Sequence, residues 1–240
     1  MLHSQKFIAA FSDDATPPRT LVEGTYVQLR RDIIEGKLSP GEKLRVEHLK
    51  DHYSIGAGTL REALGLLLSD ALVMSEGQRG FYVTPISLND IEDITNARIL
   101  LECEALRQSI RAGDDEWEAG LIAAFHKLGK IEEKLDDRSK AHLRNWEERN
   151  RGFHEALIAA CDSRWLRYMI GLLYRQSERY RHLVISEGSL PRDVHTEHGQ
   201  IFEAALARDL PRASDALEQH IRLTFEAFRL IQPEGTDRFA

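Results

Sequence analysis

The chain is poor in cysteine. Cys103 and Cys161 are the only two in 240 residues. They stand in no metal or redox spacing, so a disulfide framework is excluded and both are expected to be structural thiols. Long apolar runs are missing as well, and none approaches the ~20 residues of a membrane span. The first residues lack the basic start and continuous apolar stretch of a secretory signal. A cytoplasmic protein without a membrane partner is expected.

Positive charge is also scarce. The chain holds 32 Lys+Arg against 39 Asp+Glu, a formal net charge of −7, which excludes a polybasic nucleic-acid binder. The distribution is uneven. Residues 19–87 carry 9 basic and 9 acidic side chains, while residues 88–240 carry 22 and 28, a net of −6. A neutral segment can still bind DNA if its basic groups share one face, with binding that is salt-sensitive and dependent on dimerisation.

That neutral segment contains the stretch around which the chain is organised. In Gly56-Ala57-Gly58-Thr59-Leu60-Arg61-Glu62-Ala63-Leu64, apolar residues recur at Leu60, Ala63, Leu64, Leu67 and Leu68. This spacing predicts a helix with one buried face, leaving Gly58, Arg61, Glu62 and Gly65 outside it. Residues 46–53 predict a shorter helix before it, and Ser54-Ile55-Gly56 separates the two. Helix, tight turn, helix is the pattern whose second helix enters the major groove. Two β-prone runs follow, 72–75 and 81–84, joined by Glu76-Gly77-Gln78-Arg79-Gly80. Glycines stand where a hairpin turn needs positive φ. A hairpin after a recognition helix is a wing, with Arg79 at its tip able to reach a phosphate or a minor groove.

The remaining segments fall in order around this unit. Residues 1–19 predict a loose tail, and 20–36 a helix stopped by Gly36. From Ser87 onward every stretch has helical period. Helices are predicted over 89–112, capped by Asn89 or Asp90, then 117–135, 141–160, 165–185, 192–207 and 211–230, with Pro211 at a helix start. The fold class is mainly α: an N-terminal winged helix-turn-helix over 20–87, an all-helical bundle over 88–232, and a tail over 233–240.

In the bundle, Asn150 and His154 are four residues apart and share a helix face. His198 and His220 lie on two later helices. Histidines projecting inward from neighbouring helices can build a metal site suited to zinc or nickel, with an open position for water or a ligand oxygen. On spacing alone, solvated or hydrogen-bonded histidines are the other reading.

The run Leu60-Arg61-Glu62-Ala63-Leu64, the wing ending in Arg79-Gly80-Phe81-Tyr82-Val83, and the segments Phe153-His154, Glu197-His198 and His220-Ile221 resemble the GntR family of bacterial transcription factors. They resemble in particular its FadR-type branch with a helical FCD ligand-binding domain. Arg98-Ile99-Leu100-Leu101-Glu102 is similar to the Arg-x-x-x-Glu that opens that domain. The resemblance implies a metal held by one carboxylate and three histidines, which fall at Asn150, His154, His198 and His220. Asn150 departs from the usual Asp, bringing an oxygen but no charge. The resemblance also implies that Arg98 faces the pocket and holds a ligand carboxylate through its forked guanidinium; a surface ion pair with Glu102 is the alternative. The family usually has Ser-Arg-Thr-Pro-Val-Arg where this chain has Gly56 to Arg61, so Arg61 keeps the second arginine position and Ala57 replaces the first.

The DNA-binding candidates are therefore Arg45, His48, Lys50, Gly58, Thr59, Arg61, Arg79 and Gly80, with helix N-terminal amides close to the backbone. The expected protein is a homodimeric regulator, a repressor relieved by its ligand, reading a near-palindromic operator on double-stranded DNA. The effector is a small organic acid. Residues 48–57 and 145–149 are similar to regulators of γ-aminobutyrate and glutarate catabolism, which favours a short dicarboxylate. The rivals are an architectural DNA-binding dimer without effector and a metal-dependent hydrolase, for which no poised general base is visible.

Overall fold

The computed structural model describes residues 18–133, 139–187 and 193–232. Most of the expected N-terminal tail, all of the expected 233–240 tail, and residues 134–138 and 188–192, which include the end of the expected 117–135 helix and the first residue of the expected 192–207 helix, lie outside these residues.

Helix α1 (Leu21–Ile34) starts at Thr20, whose side chain accepts from the Glu23 N–H while Glu23 reaches back to the cap, a reciprocal capping box. Gly36, at φ +72°, turns the chain out of it. Strand β1 (Lys43–Leu44) leads into α2 (Val46–His52) and α3 (Ala57–Ser69). The left-handed residue of the α2–α3 turn is Ser54 at φ +54°. Gly56 caps α3 from extended backbone instead. On α3, Leu60, Ala63, Leu64 and Leu67 are buried as their spacing predicts, whereas Leu68 is exposed. Eight residues on, a helix position lies about 80° round from where it started, at the edge of the buried stripe.

Strands β2 (Val73–Ser75) and β3 (Phe81–Val83) form the wing. Gly77 and Gly80 take the positive φ values, +50° and +98°. The sheet order is β1-β3-β2, antiparallel throughout, with Leu44 opposite Phe81 and Val73 opposite Val83. The strand β1 has no counterpart in the sequence reading, since two residues carry no alternation. The head closes over Leu29, Leu44, Leu60, Leu64, Leu67 and Val83, all essentially buried. Each such side chain contributes roughly 1.5–3 kcal/mol of transfer free energy.

Only Thr84, Pro85, Ile86 and Ser87 separate β3 from α4 (Leu88–Ala112). Ser87, rather than Asn89 or Asp90, caps α4, its hydroxyl accepting from the Asp90 N–H. Gly113 follows at φ −63°. Its lack of a side chain serves packing and not a left-handed turn, since a Cβ there would come within 2.4 Å of the Trp117 ring. Then come α5 (Asp115–Glu132), α6 (Lys140–Leu157), α7 (Arg164–Glu187), α8 (Val194–Leu206) and α9 (Leu210–Ile231). Pro211 sits in the first turn of α9, as expected.

α4 packs on α7 and α9, α5 on α6 and α8, and α8 on α9. The main core joins Leu106, Leu121, Phe153, Ile201 and Leu217. A second cluster, Ile86, Ile91, Tyr180, Val184 and Phe228, clasps the neck between head and bundle. No helix among the described residues is long and apolar enough to cross a membrane.

Candidate functional site

The polar candidates of the head are spread over α2, α3 and the wing. Arg45 is the N-cap of α2 and exposed; His48 is exposed on the same helix. Lys50 is half-buried and pairs with Glu47 at 2.5 Å. On α3, Arg61 and Gly58 are exposed and Thr59 is half-buried. A Cβ at Gly56 or Gly58 would meet nothing within 4 Å, so the start of α3 is sterically open. The Arg79 side chain is 79% exposed at the wing tip, 3.6 Å from Glu76.

In the bundle, all six helices contribute to one buried polar centre. His154 from α6, His198 from α8 and His220 from α9 each offer a ligand atom, and these atoms lie within 4.8 Å of one another. Their ring centroids are 4.6 to 6.0 Å apart. His198 has no exposure at all, and Asn150, one turn before His154, is 2% exposed. Asn150 donates its amide N–H to the Tyr174 hydroxyl at 2.7 Å, while its Oδ1 is buried without a hydrogen-bond partner. His198 Nε2 is likewise buried and unpartnered.

Each imidazole meets a glutamate through Nδ1. His198 lies 2.8 Å from Glu132, and His220 lies 2.8 Å from Glu197. His154 lies 3.4 Å from Glu102, a looser approach that leaves its Nδ1 without a hydrogen bond. With Nδ1 engaged in His198 and His220, coordination there would fall to Nε2. Burial lowers the His154 pKa to about 4, outweighing the pull of Glu102, so the ring is neutral near pH 7. Burial alone would raise Glu102, but Arg98 and then His154 bring it down to about 2. Glu132 is also held below the usual carboxylate range: burial opposes this, and His198 and His195 outweigh it.

Three imidazoles with an amide oxygen, three buried atoms left unsatisfied (Asn150 Oδ1, His154 Nδ1 and His198 Nε2) and carboxylates behind the rings suit a divalent ion. Each orphaned polar atom costs roughly 1–3 kcal/mol that coordination would offset. The donor set of three nitrogens and one neutral oxygen fits zinc or nickel better than magnesium or calcium.

Arg98 lies beside this centre, 3% exposed. Its Nε donates to Glu102 at 2.6 Å and its Nη1 to the Ser177 hydroxyl at 3.1 Å. The ion pair with Glu102 is thus real but buried, not on the surface. These bonds use two of the five guanidinium N–H donors.

Helix α7 ties the centre to the head. Residues 174–181 are buried all round. One side carries Tyr174, which holds Asn150, and Ser177, which receives Arg98 and, at 2.6 Å, Arg181. The other side grips the winged helix. Arg175 donates to Asp70 at 3.0 Å and Gln176 to the Asp70 carbonyl, at the C-cap of α3. Arg179 donates to the carbonyls of Thr84 and Pro85 at 2.9 and 3.1 Å. Glu178 pairs with Arg30 of α1.

The sequence reading missed Glu132, Tyr174, Ser177 and this α7 stripe. A signal existed in Arg175-Gln176-Ser177-Glu178-Arg179-Tyr180-Arg181, which is polar on every side. A helix polar all round commonly bridges two domains.

A winged helix joined through a short neck to a helical bundle with a buried histidine centre is the build of a DNA-binding regulator. The chain belongs to the GntR family of bacterial regulatory proteins: that family's model matches residues 21–83, and the FCD domain model matches residues 93–223. It is 45% identical over 225 residues to the HTH-type transcriptional regulator BphR of Paraburkholderia xenovorans (strain LB400), spanning 92% of this chain and 91% of the relative. It is 38% identical to the HTH-type transcriptional repressor GlaR of Escherichia coli (strain K12), spanning 82% and 90%. Among solved structures, E. coli McbR/YncC matches with a TM-score of 0.70 at 20% identity, over 89% of this chain and 99% of that one. A GntR regulator from Rhodococcus sp. RHA1 matches at 0.68 and 20%, over 88% and 98%; both likenesses speak for the fold. The protein is a DNA-binding transcriptional regulator of the GntR/FCD type, and its family and relatives are regulators, not enzymes.

Proposed function

We propose that this chain is a homodimeric repressor of a catabolic operon, released from a near-palindromic operator by a short dicarboxylate bound in the bundle. The observation that carries the reading is the double engagement of α7. The same two turns touch Asn150 and Arg98 on one side and the C-cap of the recognition helix on the other. A ligand that draws on Arg98 or Asn150 disturbs Ser177 and Tyr174, and through a rigid helix the grip on Asp70. The effect equals the difference in ligand affinity between the two placements of the head.

In this reading Asn150, His154, His198 and His220 hold a divalent metal, zinc or nickel. When bound, the ion supplies a Lewis-acidic docking point for a carboxylate oxygen. Arg98 holds the second carboxylate with its remaining N–H donors, and Glu102 and Ser177 aim the guanidinium. Arg45, His48, Lys50, Gly58, Thr59, Arg61, Arg79 and Gly80 form the DNA-facing surface, with Arg61 and Arg79 the main contacts. The repressor role is in keeping with the name of the E. coli relative, which is that of a repressor.

Fluorescence anisotropy with duplex from the chain's own promoter tests this. Specific binding that glutarate or a near homologue reverses is expected. Equal affinity for promoter and random duplex at moderate salt would sink the proposal.

A further inference from the structure

Resting on the reading of the buried histidines as a metal site, we propose that Glu102, Glu132 and Glu197 form an outer carboxylate ring. The ring fixes the three imidazoles and supplies the negative charge that Asn150 does not.

The pairing is one glutamate per histidine, and each glutamate comes from a different helix than its histidine. Glu102 on α4 faces His154 on α6, Glu132 on α5 faces His198 on α8, and Glu197 on α8 faces His220 on α9. The atom nearest the carboxylate is Nδ1 every time, within hydrogen-bond distance in His198 and His220 and at 3.4 Å in His154. Burial sets these pairs apart from a contact such as that of the exposed His195 with Glu132, which also uses Nδ1; the Glu132 and His198 side chains are both fully buried. A carboxylate on the Nδ1 proton fixes the tautomer, stops ring rotation and makes Nε2 a stronger donor.

The charge argument is separate. Three imidazoles and an amide bring no charge, yet a dication taken out of water needs compensation. Three carboxylates one ring behind supply it. Arg98 offsets Glu102 at 2.6 Å. The charge therefore comes chiefly from Glu132 and Glu197. Glu132 also receives the Trp146 indole N–H at 3.4 Å and stands 2.9 Å from His195, which locks its orientation. In this chain the acid of the metal site stands in the outer set, since the inner set holds Asn150.

Zinc affinity of the purified full-length protein, measured by competition with a chromophoric chelator, tests the ring. Glu132→Gln and Glu197→Gln keep volume and an acceptor oxygen but lose the charge. Each is expected to weaken zinc binding roughly tenfold to a hundredfold. Glu118→Gln, whose carboxylate meets Arg208 far from the histidines, is expected to leave affinity unchanged. Asn150→Asp is expected to tighten it, and the metal-free melting temperature of Glu197→Gln to match the wild type. Glutamine variants that hold zinc as tightly as the wild type overturn the ring while leaving the metal reading intact. A wild type that holds no zinc or nickel overturns the metal reading itself. If metal-free Glu132→Gln melts early, Glu197→Gln decides by the same comparison, since its carboxylate is 15% exposed and tolerates change better.

Discussion

Replacing Arg30 with methionine keeps most of the side-chain volume and removes the cation that faces Glu178 in the head–bundle junction. The two side chains are 6% and 11% exposed. Burial already raises the Glu178 pKa from its ordinary value, against the pull of Arg30. Without Arg30 the carboxylate stays charged and stranded, or it takes up a proton. Stranding a buried ion costs about 3–5 kcal/mol. Protonating a glutamate of ordinary pKa about 4.3 costs about 3.7 kcal/mol near pH 7. The cheaper route sets the limit, and since the raised wild-type pKa already carries part of that cost, Arg30→Met is expected to lose the remainder, no more than about 3 kcal/mol near pH 7. Because the variant raises the folded-state pKa further, the penalty is absent below the wild-type folded value, which itself stands above the ordinary one. It grows by about 1.4 kcal/mol per pH unit above the wild-type folded value. Urea unfolding near pH 7 and near pH 5 reads this directly, with Glu178→Gln and the double variant completing a cycle. The loss should shrink to less than about 1 kcal/mol near pH 5, and the double variant should recover most of it. An equal loss at both pH values refutes the argument, as does a double variant no better than Arg30→Met alone.

Three further outcomes are expected. Arg61→Ala and Arg79→Ala should each weaken operator binding and reduce the slope of log affinity against log salt by about one for a lost phosphate contact; unchanged slopes place those arginines off the DNA. Chelator treatment should lower the wild-type melting temperature, by the equivalent of about 2.7 kcal/mol if the ion is normally at a hundred times its Kd, and leave His198→Ala unmoved. Arg175→Ala should bind effector in calorimetry as the wild type does while losing most of the effector-induced release of DNA; full release in that variant would take Arg175 out of the coupling.

The elements were legible because local chemistry announces them. The stripe Leu60, Ala63, Leu64 and Leu67 fixed the recognition helix, and Gly77 and Gly80 marked the wing. The caps were harder: the sequence pointed to Asn89 or Asp90, and the cap is Ser87. The four metal candidates were legible through resemblance more than spacing, since three of them meet only across helices. Glu132 was invisible for that reason. Nothing near it in the chain shows that the end of α5 will lie against α6 and α8. Arg98 and Glu102 could be read as a pair, but their burial follows from α7 crossing over them, which no local pattern encodes.

The four-residue neck has a consequence for how DNA is measured. A reading head on a long tether could tolerate half-sites at several separations. Here Ile86 is sunk in the bundle, and Thr84 and Pro85 are held by Arg179, so there is no slack to let out. In the proposed dimer the stride along the duplex is therefore a property of the body. An extra base pair between half-sites would have to be absorbed by twisting the DNA, not by stretching the protein.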